Sequence, residues 1–179
     1  MKKLLVFLLI FLIGTAGFAE SQDIELSSYV GRPFEELYND IGGEMDIHHF
    51  PDGITVYLHW MIVSARYTYD DADIKYGWGD DIVFSITVSD AGYSLFGIKV
   101  GDSEESVIAR CEADGWTVME EPPKYCDGGY EKIVDNVRYE LGYIIEYGTD
   151  YINCVSVDAE NMAGTDSDGG FLDWLTFWD

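Results

Sequence analysis

The sequence predicts an α+β fold built from two tandem repeats, each with one helix packed on about four antiparallel strands. Three blocks recur in the same order in the two halves of the chain. Residues 31–41 align with 101–111, 52–60 with 135–143, and 74–88 with 145–157. Apolar side chains match at helix spacing in the first block and at strand spacing in the other two. Collinear matches of this kind indicate an internal duplication.

Each repeat opens with the signals of a helix. In the first, Pro33 suits the first helical position, and Glu35 and Glu36 follow in the first turn, where the helix dipole favours acids. Gly42 and Gly43 are expected to end that helix.

The second helix is expected after Asp102, which has capping-box spacing to Glu105, and it should end at Gly115. Its apolar stripe consists of Val107, Ile108 and Cys111. Tight turns at 50–53 and 134–137 then predict hairpins of alternating apolar and polar residues.

The chain is predicted to contain a signal peptide (1–19), two α+β repeats (20–98 and 99–163), and an acidic Gly-rich linker with an aromatic tail (164–179). The apolar run that follows Lys2 and Lys3 is shorter than the roughly 20 residues of a spanning helix. We therefore expect cleavage near Glu20 and a secreted or periplasmic protein. A retained membrane anchor is the alternative.

Acidic residues greatly outnumber basic ones. The sequence has 34 Asp and Glu against 10 Lys and Arg, which makes the net charge −24. Such a charge repels phosphate groups, so neither nucleic acid nor an anionic membrane surface is an expected partner. A basic partner, in the first place another protein, or a cation fits better, and the chain itself is expected to be a monomer. The alternative is that the charge only keeps an exported protein soluble.

Three cysteines remain after processing into an oxidising compartment, which favours one disulfide. Cys111 and Cys126 are the favoured pair, because a bridge between residues 15 positions apart would close a modest loop. Cys154 is then a free thiol. It is either a buried small apolar side chain or the nucleophile of a hydrolase.

All three histidines lie in one predicted hairpin. Pairing residue 50 with residue 53 predicts three polar cross-strand pairs: His48 with Thr55, Asp46 with Tyr57, and Glu44 with His59. Trp60 is expected on the opposite, apolar face. Imidazole and carboxylate groups can hold zinc, but an ordinary solvated sheet face is the favoured interpretation. No metal or cofactor is predicted.

The last nine residues, 171–179, contain six large apolar side chains. Exposed to water, such a segment would promote aggregation. It is expected to fold back onto the sheet or helix layer of its own chain, with docking on a partner as the alternative.

A loose motif, Val-Gly-x-(Ser or Pro)-x-Glu-x-(Val or Leu), begins at Val30 and again at Val100, and a helix and hairpin follow it. This unit resembles the small repeat of the SmpA/OmlA-type outer-membrane assembly lipoproteins and of the tandem beta-lactamase inhibitory proteins. The resemblance covers residues 29–90 and 99–159. It implies a secreted, non-enzymatic protein whose sheet face binds another protein, in the inhibitory proteins through exposed aromatic residues. The lipid-attachment cysteine of the lipoproteins is missing.

The favoured function is an exported, non-enzymatic module that binds another protein. Candidate binding residues are Tyr57, His59, Tyr76, Trp78 and Tyr147. The alternative is a small metal-dependent or thiol hydrolase that uses the His48/His59 hairpin face together with Glu44 and Cys154. The sequence has no phosphate-binding glycine loop, paired-cysteine zinc pattern or Gly-x-Ser-x-Gly elbow, which favours the binding module.

Overall fold

The computed structural model describes residues 24–50, 53–58, 60–66 and 81–161. These ranges contain a short 3-10 helix at Ser27–Tyr29 and two α-helices, α1 (Phe34–Ile41) and α2 (Glu104–Ala113). The strands are β1 (Ile24–Glu25), β2 (Met45–Phe50), β3 (Gly53–Leu58), β4 (Met61–Arg66), β5 (Ile82–Val88), β6 (Tyr93–Leu95), β7 (Ile98–Lys99), β8 (Thr117–Val118), β9 (Gly128–Val134), β10 (Val137–Ile145) and β11 (Ile152–Asn161).

The strands form one large sheet and one small one. The large sheet has eight antiparallel strands in the order β2-β3-β4-β5-β11-β10-β9-β8. The small sheet has the order β1-β6-β7, in which β1 runs parallel to β6. The centre of the large sheet is therefore the pairing of β5 with β11.

The predicted fold class, two α+β repeats with one helix on four strands each, is wrong. The described residues are mostly β, with 52% strand and 18% helix, and their main feature is the single eight-stranded sheet. The reason lies in the pairing of β5 with β11, which runs from Val88 opposite Val155 to Ser85 opposite Asp158. Without this pairing both strands would be sheet edges with unsatisfied backbone groups, and joining them satisfies both.

Each helix is preceded, three residues before its first residue, by a glycine whose φ is positive. Gly31 has a φ of +84°, and its N–H donates to the Val83 carbonyl at 2.7 Å. Gly101 has a φ of +94° and donates to the Ile152 carbonyl at 2.8 Å. These bonds tie the start of each helix to a strand of the large sheet. Within the described residues neither helix has the length and apolarity needed to cross a membrane.

The predicted C-terminal ends of both helices are confirmed, but the predicted starts are not. Pro33 is the N-cap of α1 and not its first helical residue, which is Phe34. Gly42, with a φ of +65°, caps the end of α1, and Gly115 follows α2 with a φ of +75°. The N-cap of α2 is Ser103 rather than Asp102, and its side chain accepts a hydrogen bond from the Ser106 N–H at 3.3 Å. A serine hydroxyl at this position satisfies an otherwise unpaired N–H of the first turn.

Both predicted hairpin registers are confirmed where the structure describes them. The pairs around the first turn are Phe50 with Gly53, His48 with Thr55, and Asp46 with Tyr57. In the second hairpin Val134 pairs with Val137, and Asp135 and Asn136 have φ values of +51° and +64°, as a type I′ turn requires. The predicted pair of Glu44 with His59 lies outside the described residues.

The apolar core lies between the helices and one face of the large sheet. Helix α1 buries Phe34 and Leu37, and α2 buries Val107 and Cys111. The sheet supplies alternate residues of its central strands, because successive side chains point to opposite faces. These residues are Ile54, Val56, Leu58, Met61, Val63, Ala65, Val83, Ile86, Val88, Leu141, Tyr143, Val155 and Val157.

Glu25 organises the small sheet. Its carboxylate accepts hydrogen bonds from the Phe96 N–H at 2.9 Å, the Gly97 N–H at 2.8 Å and the Ser94 hydroxyl at 3.0 Å. Burial by itself raises the pKa of Glu25, but the bonds from Ser27, Gly97 and Ser94 outweigh it and leave the pKa below its ordinary value. The ionised carboxylate is therefore the form that stabilises the fold.

Replacing Glu25 with glutamine is expected to lower the free energy of unfolding at pH 7 by about 1 kcal/mol, since charge-assisted hydrogen bonds become neutral ones at an exposed position where solvent screens the charge. Because the folded pKa is depressed, this stabilisation is present above the unfolded pKa and is lost as the pH falls through the folded value. Urea titrations of both proteins from pH 7 to pH 3 should show the difference shrinking below about pH 4. A pH-independent difference would contradict this role of the charge.

Candidate functional site

The candidate site lies on the face of the large sheet that points away from the helices, which we call the open face. The strand register aligns one residue of each of seven neighbouring strands across this face. We call this line the polar row: His48, Thr55, Ser64, Ser85, Asp158, Glu140 and Glu131. The row starts with an imidazole, continues through three hydroxyls and ends in three carboxylates.

Arg138 lies among the carboxylates at the end of the row. Its guanidinium is 2.9 Å from Glu131 Oε2 and 2.9 Å from Glu140 Oε1. The Nε–H of the same arginine donates to Glu131 at 3.0 Å. The Arg138 guanidinium therefore forms ion pairs with two carboxylates, and Asp158 adds a third negative charge beside them.

Two of these carboxylates are held in surroundings that disfavour their charge. Burial raises the pKa of Asp158, against a hydrogen bond from Ser85 that lowers it. Burial also raises the pKa of Glu140, where Arg138 acts in the opposite direction and the neighbouring acids add to the rise. An incoming cation would relieve both effects, so this end of the row favours a positively charged ligand.

Beside the polar row is a shallow apolar groove of about 280 Å³. Its lining residues are Tyr57, Trp60, Met61, Ile62, Thr87, Ser89 and Cys154. Trp60 is 69% exposed, which is high for the largest apolar side chain. Tyr57 and Ile62 are also exposed. The groove therefore places large apolar side chains in water, next to the part of the polar row that consists of Thr55, Ser64 and Ser85.

The predicted position of Trp60 is wrong, because the side chain is largely exposed and lines the groove. Leu58 pairs with Met61, so Trp60 lies in the turn between β3 and β4. Strand alternation does not apply in a turn, and this removes the basis of the prediction.

The histidine hairpin forms a local contact group on the same face. His48 Nε2 lies 3.2 Å from Asp46 Oδ2, and its ring meets the edge of Tyr57 at a centroid distance of 5.3 Å. Strand β2 lies four strand spacings, roughly 19 Å, from β11, and Cys154 is a further four residues along β11 from Asp158, which is level with His48. An imidazole at His48 therefore does not activate the Cys154 thiol. His59 lies outside the described residues.

Sequence reasoning located only some residues of this face. Tyr57 lines the groove, whereas Tyr147 is fully exposed in the turn between β10 and β11 and is not a lining residue. Tyr76 and Trp78 lie outside the described residues. Sequence analysis missed the cluster of Asp158, Glu140 and Glu131 as a group. Its only local signal was the polar alternation along β10 and β11.

A proline loop covers part of the open face. Pro122 and Pro123 pack over Gly129, where an added Cβ would lie 2.6 Å from Pro123 Cδ. The Cys126 sulfur packs against the neighbouring Gly142 in the same way, since a Cβ added to Gly142 would lie 2.6 Å from Cys126 Sγ. The two glycines pair across β9 and β10, and their lack of side chains makes room for the loop.

The predicted disulfide between Cys111 and Cys126 is absent from the structure, in which all three cysteines are free thiols. Cys111 is buried on the helix side of the sheet, whereas Cys126 lies against Gly142 and Ser156 on the open face. The sheet itself separates the two sulfur atoms. Burial raises the pKa of Cys111 to about 11, so this thiol is protonated and unreactive at neutral pH.

No protein-family model, curated protein or solved structure matches this chain. In the described part of the chain, no three His, Cys, Asp or Glu side chains form a group that could hold a metal ion. The open face combines an apolar groove on β3, β4 and β5 with a polar row that ends in three carboxylates on β11, β10 and β9.

Proposed function

We propose that this protein is an exported, non-enzymatic module whose open face binds a basic surface of another protein. The observation that supports this most directly is that the exposed Trp60, Tyr57 and Ile62 share one sheet face with the carboxylates of the polar row, the nearest of which, Asp158, lies two strands from Ile62. Within the described ranges, the helices and the small sheet contribute to the core on the other face. A folded scaffold thus presents one face of its main sheet for contact.

The apolar groove would supply most of the affinity. Aromatic side chains dominate the energetics of protein interfaces, where a few buried anchors account for most of the binding free energy. Trp60 and Tyr57 have that character and are already held by the turn and by strand β3. Rigid anchors lose little conformational entropy on binding.

The acidic residues would select the partner. A net charge of −24 attracts basic surfaces and speeds their association. It also repels nucleic acids and anionic membranes, so we propose neither as a partner. The raised pKa values of Asp158 and Glu140 fit this role, because a lysine or arginine of the partner would stabilise their ionised forms.

Site-specific photo-crosslinking tests the proposed function. A photoreactive phenylalanine analogue at Ile62, on the open face, is compared with one at Ile108, on helix α2. The two positions are matched, since their exposures are 39% and 37%. Each protein is incubated with the extracellular proteins of the organism that makes it, and the products are identified by mass spectrometry.

The expected result is a crosslinked basic protein from position 62 only, with a yield that falls as salt is raised. Equal crosslinking from both positions, or an acidic product that is insensitive to salt, would contradict the proposal. Export is tested separately by sequencing the N-terminus of the secreted protein, which should begin near Glu20.

Replacing Trp60 with alanine is expected to weaken binding of the crosslinked partner by roughly 30-fold, as for a central aromatic anchor. Val118→Ala is the matched control, because Val118 is similarly exposed but lies outside the groove. Surface plasmon resonance with the purified partner measures both. Equal losses from the two variants would show that the groove is not the contact surface.

A further inference from the structure

Two of the three thiols share the open face. The sulfur of Cys126 occupies the space beside Gly142 and lies 4.0 Å from the Ser156 hydroxyl. Cys154 precedes Ser156 by two positions on β11, so it points to the same face. Cys126 reaches this face from the proline loop, and Cys154 reaches it from the sheet.

The sheet register limits how far apart the two sulfur atoms are. Gly142 pairs with Ser156, and the next open-face pair along the strands is Ile144 with Cys154. Gly142 and Cys154 are therefore diagonal neighbours, whose Cβ positions are about 7–8 Å apart. The Cys126 sulfur already fills the side-chain position of Gly142, so a bridge requires the proline loop to move Cys126 toward β11 in addition to rotation of the two side chains.

The pKa and the exposure of the two thiols are consistent with Cys126 and Cys154 lying near each other. Burial raises the pKa of the Cys154 thiol, and the neighbouring Cys126 raises it further. Both cysteines are only partly buried, so a small oxidant can reach them. Cys111 differs in both respects, since it is buried on the other side of the sheet.

We propose that Cys126 and Cys154 form a disulfide on the open face when the protein meets a disulfide oxidant, and that Cys111 stays a thiol. The thiolate of one cysteine attacks the oxidant disulfide and releases one thiol. The thiolate of the second cysteine then attacks the mixed disulfide and releases another. The two cysteines lose two protons and two electrons, and the oxidant is reduced to two thiols.

The bridge would tie the proline loop to β11 at the border of the apolar groove, because Cys154 lines that groove. It would also join two segments 28 positions apart in the sequence. A crosslink of this length constrains the unfolded chain and is expected to raise the melting temperature by about 5–10 °C. This inference depends on the thiols alone and not on the identity of a partner.

The test oxidises the purified, processed protein with oxidised glutathione at pH 8 and then blocks the remaining thiols under denaturing conditions. Peptide mapping by mass spectrometry should identify a Cys126–Cys154 crosslink in a monomer, with Cys111 blocked as a free thiol. The Cys111→Ser variant should form the same bridge, and oxidation should raise its melting temperature too. Cys154→Ser should show no bridge and no rise.

Several results would overturn the proposal. One is a bridge that includes Cys111, and another is a dimer linked through Cys126 or Cys154. A third is that the thiol-blocking reagent still modifies both Cys126 and Cys154 completely after oxidation, in protein that retains its circular dichroism spectrum, because bridged cysteines cannot be modified. Since the wild-type protein alone decides all three, a variant that fails to fold does not affect the result.

Discussion

Replacing Leu141 with alanine is expected to lower the free energy of unfolding by about 3 kcal/mol and the melting temperature by roughly 6–12 °C. Leu141 is fully buried in β10 and packs into the core formed by the sheet and the helices. Alanine would leave a cavity that the surrounding strands fill only in part. Chemical and thermal unfolding measure the loss directly.

The same variant tests whether the large sheet unfolds as one unit. Pairing of β5 with β11 joins β2–β5 to β8–β11, so hydrogen exchange should speed up in β3 and β4 as well as in β9 and β10. The control is Ile133→Ala. Ile133 pairs with Arg138 on the open face and is well exposed, so this variant should change stability by less than about 0.5 kcal/mol. Unchanged protection in β3 and β4 would mean that the two parts unfold independently.

Replacing Asp158 with asparagine is expected to stabilise the protein at pH 7. Burial raises the folded pKa of Asp158, so the folded state holds this proton more tightly than the unfolded state does. Its carboxylate therefore costs stability at neutral pH, and the cost disappears as the pH falls below both pKa values. Asparagine removes the charge and can still accept the hydrogen bond of Ser85.

Thermal unfolding between pH 7 and pH 3 measures this effect. The advantage of Asp158→Asn should be largest at pH 7 and should vanish in acid. The effect of Glu25→Gln should also vanish in acid, but it has the opposite sign, because that variant is less stable than the wild type at pH 7. Asp46→Asn is the control, because Asp46 lies on the same face but its side chain is 79% exposed. A destabilised Asp158→Asn protein at pH 7 would show that this carboxylate makes a contact that asparagine cannot replace.

The two acids with raised pKa values connect stability with the proposed function. If a basic partner binds here, it lowers the pKa values of Asp158 and Glu140, and by linkage its affinity decreases when these groups are protonated. Asp158→Asn should therefore bind the partner more weakly while being the more stable protein. A residue that reduces stability but improves recognition is common at binding sites.

Local features were predictable because neighbouring residues determine them. The turn at Asp135 and Asn136 needs only residues that tolerate a positive φ, and the register of β9 with β10 follows from that turn. In the same way, pairing Phe50 with Gly53 placed Tyr57 on the face where it lines the groove. Glycines after each helix marked the helix ends.

Long-range strand pairing was not predictable. Nothing in the sequence around Val88 or Val155 states that these residues are partners, because any two apolar strands of similar length can pair. The fold class was wrong for this reason, since recognition of helices and strands does not show whether they form one sheet or two. The cluster of Asp158 with Glu140 and Glu131 was missed for the same reason, as it spans three strands.

The sequence alone determined the strand alternation, the helix ends, the hairpin turns and the acidic charge, each of which depends on residues close together in the chain. Only the tertiary structure decided that β5 and β11 join into one sheet, that Trp60 faces water and that Cys126 lies on the side of Cys154 rather than Cys111. These outcomes depend on which distant surfaces bury one another. That choice is made by packing and backbone pairing over the whole sheet, and no local pattern encodes it.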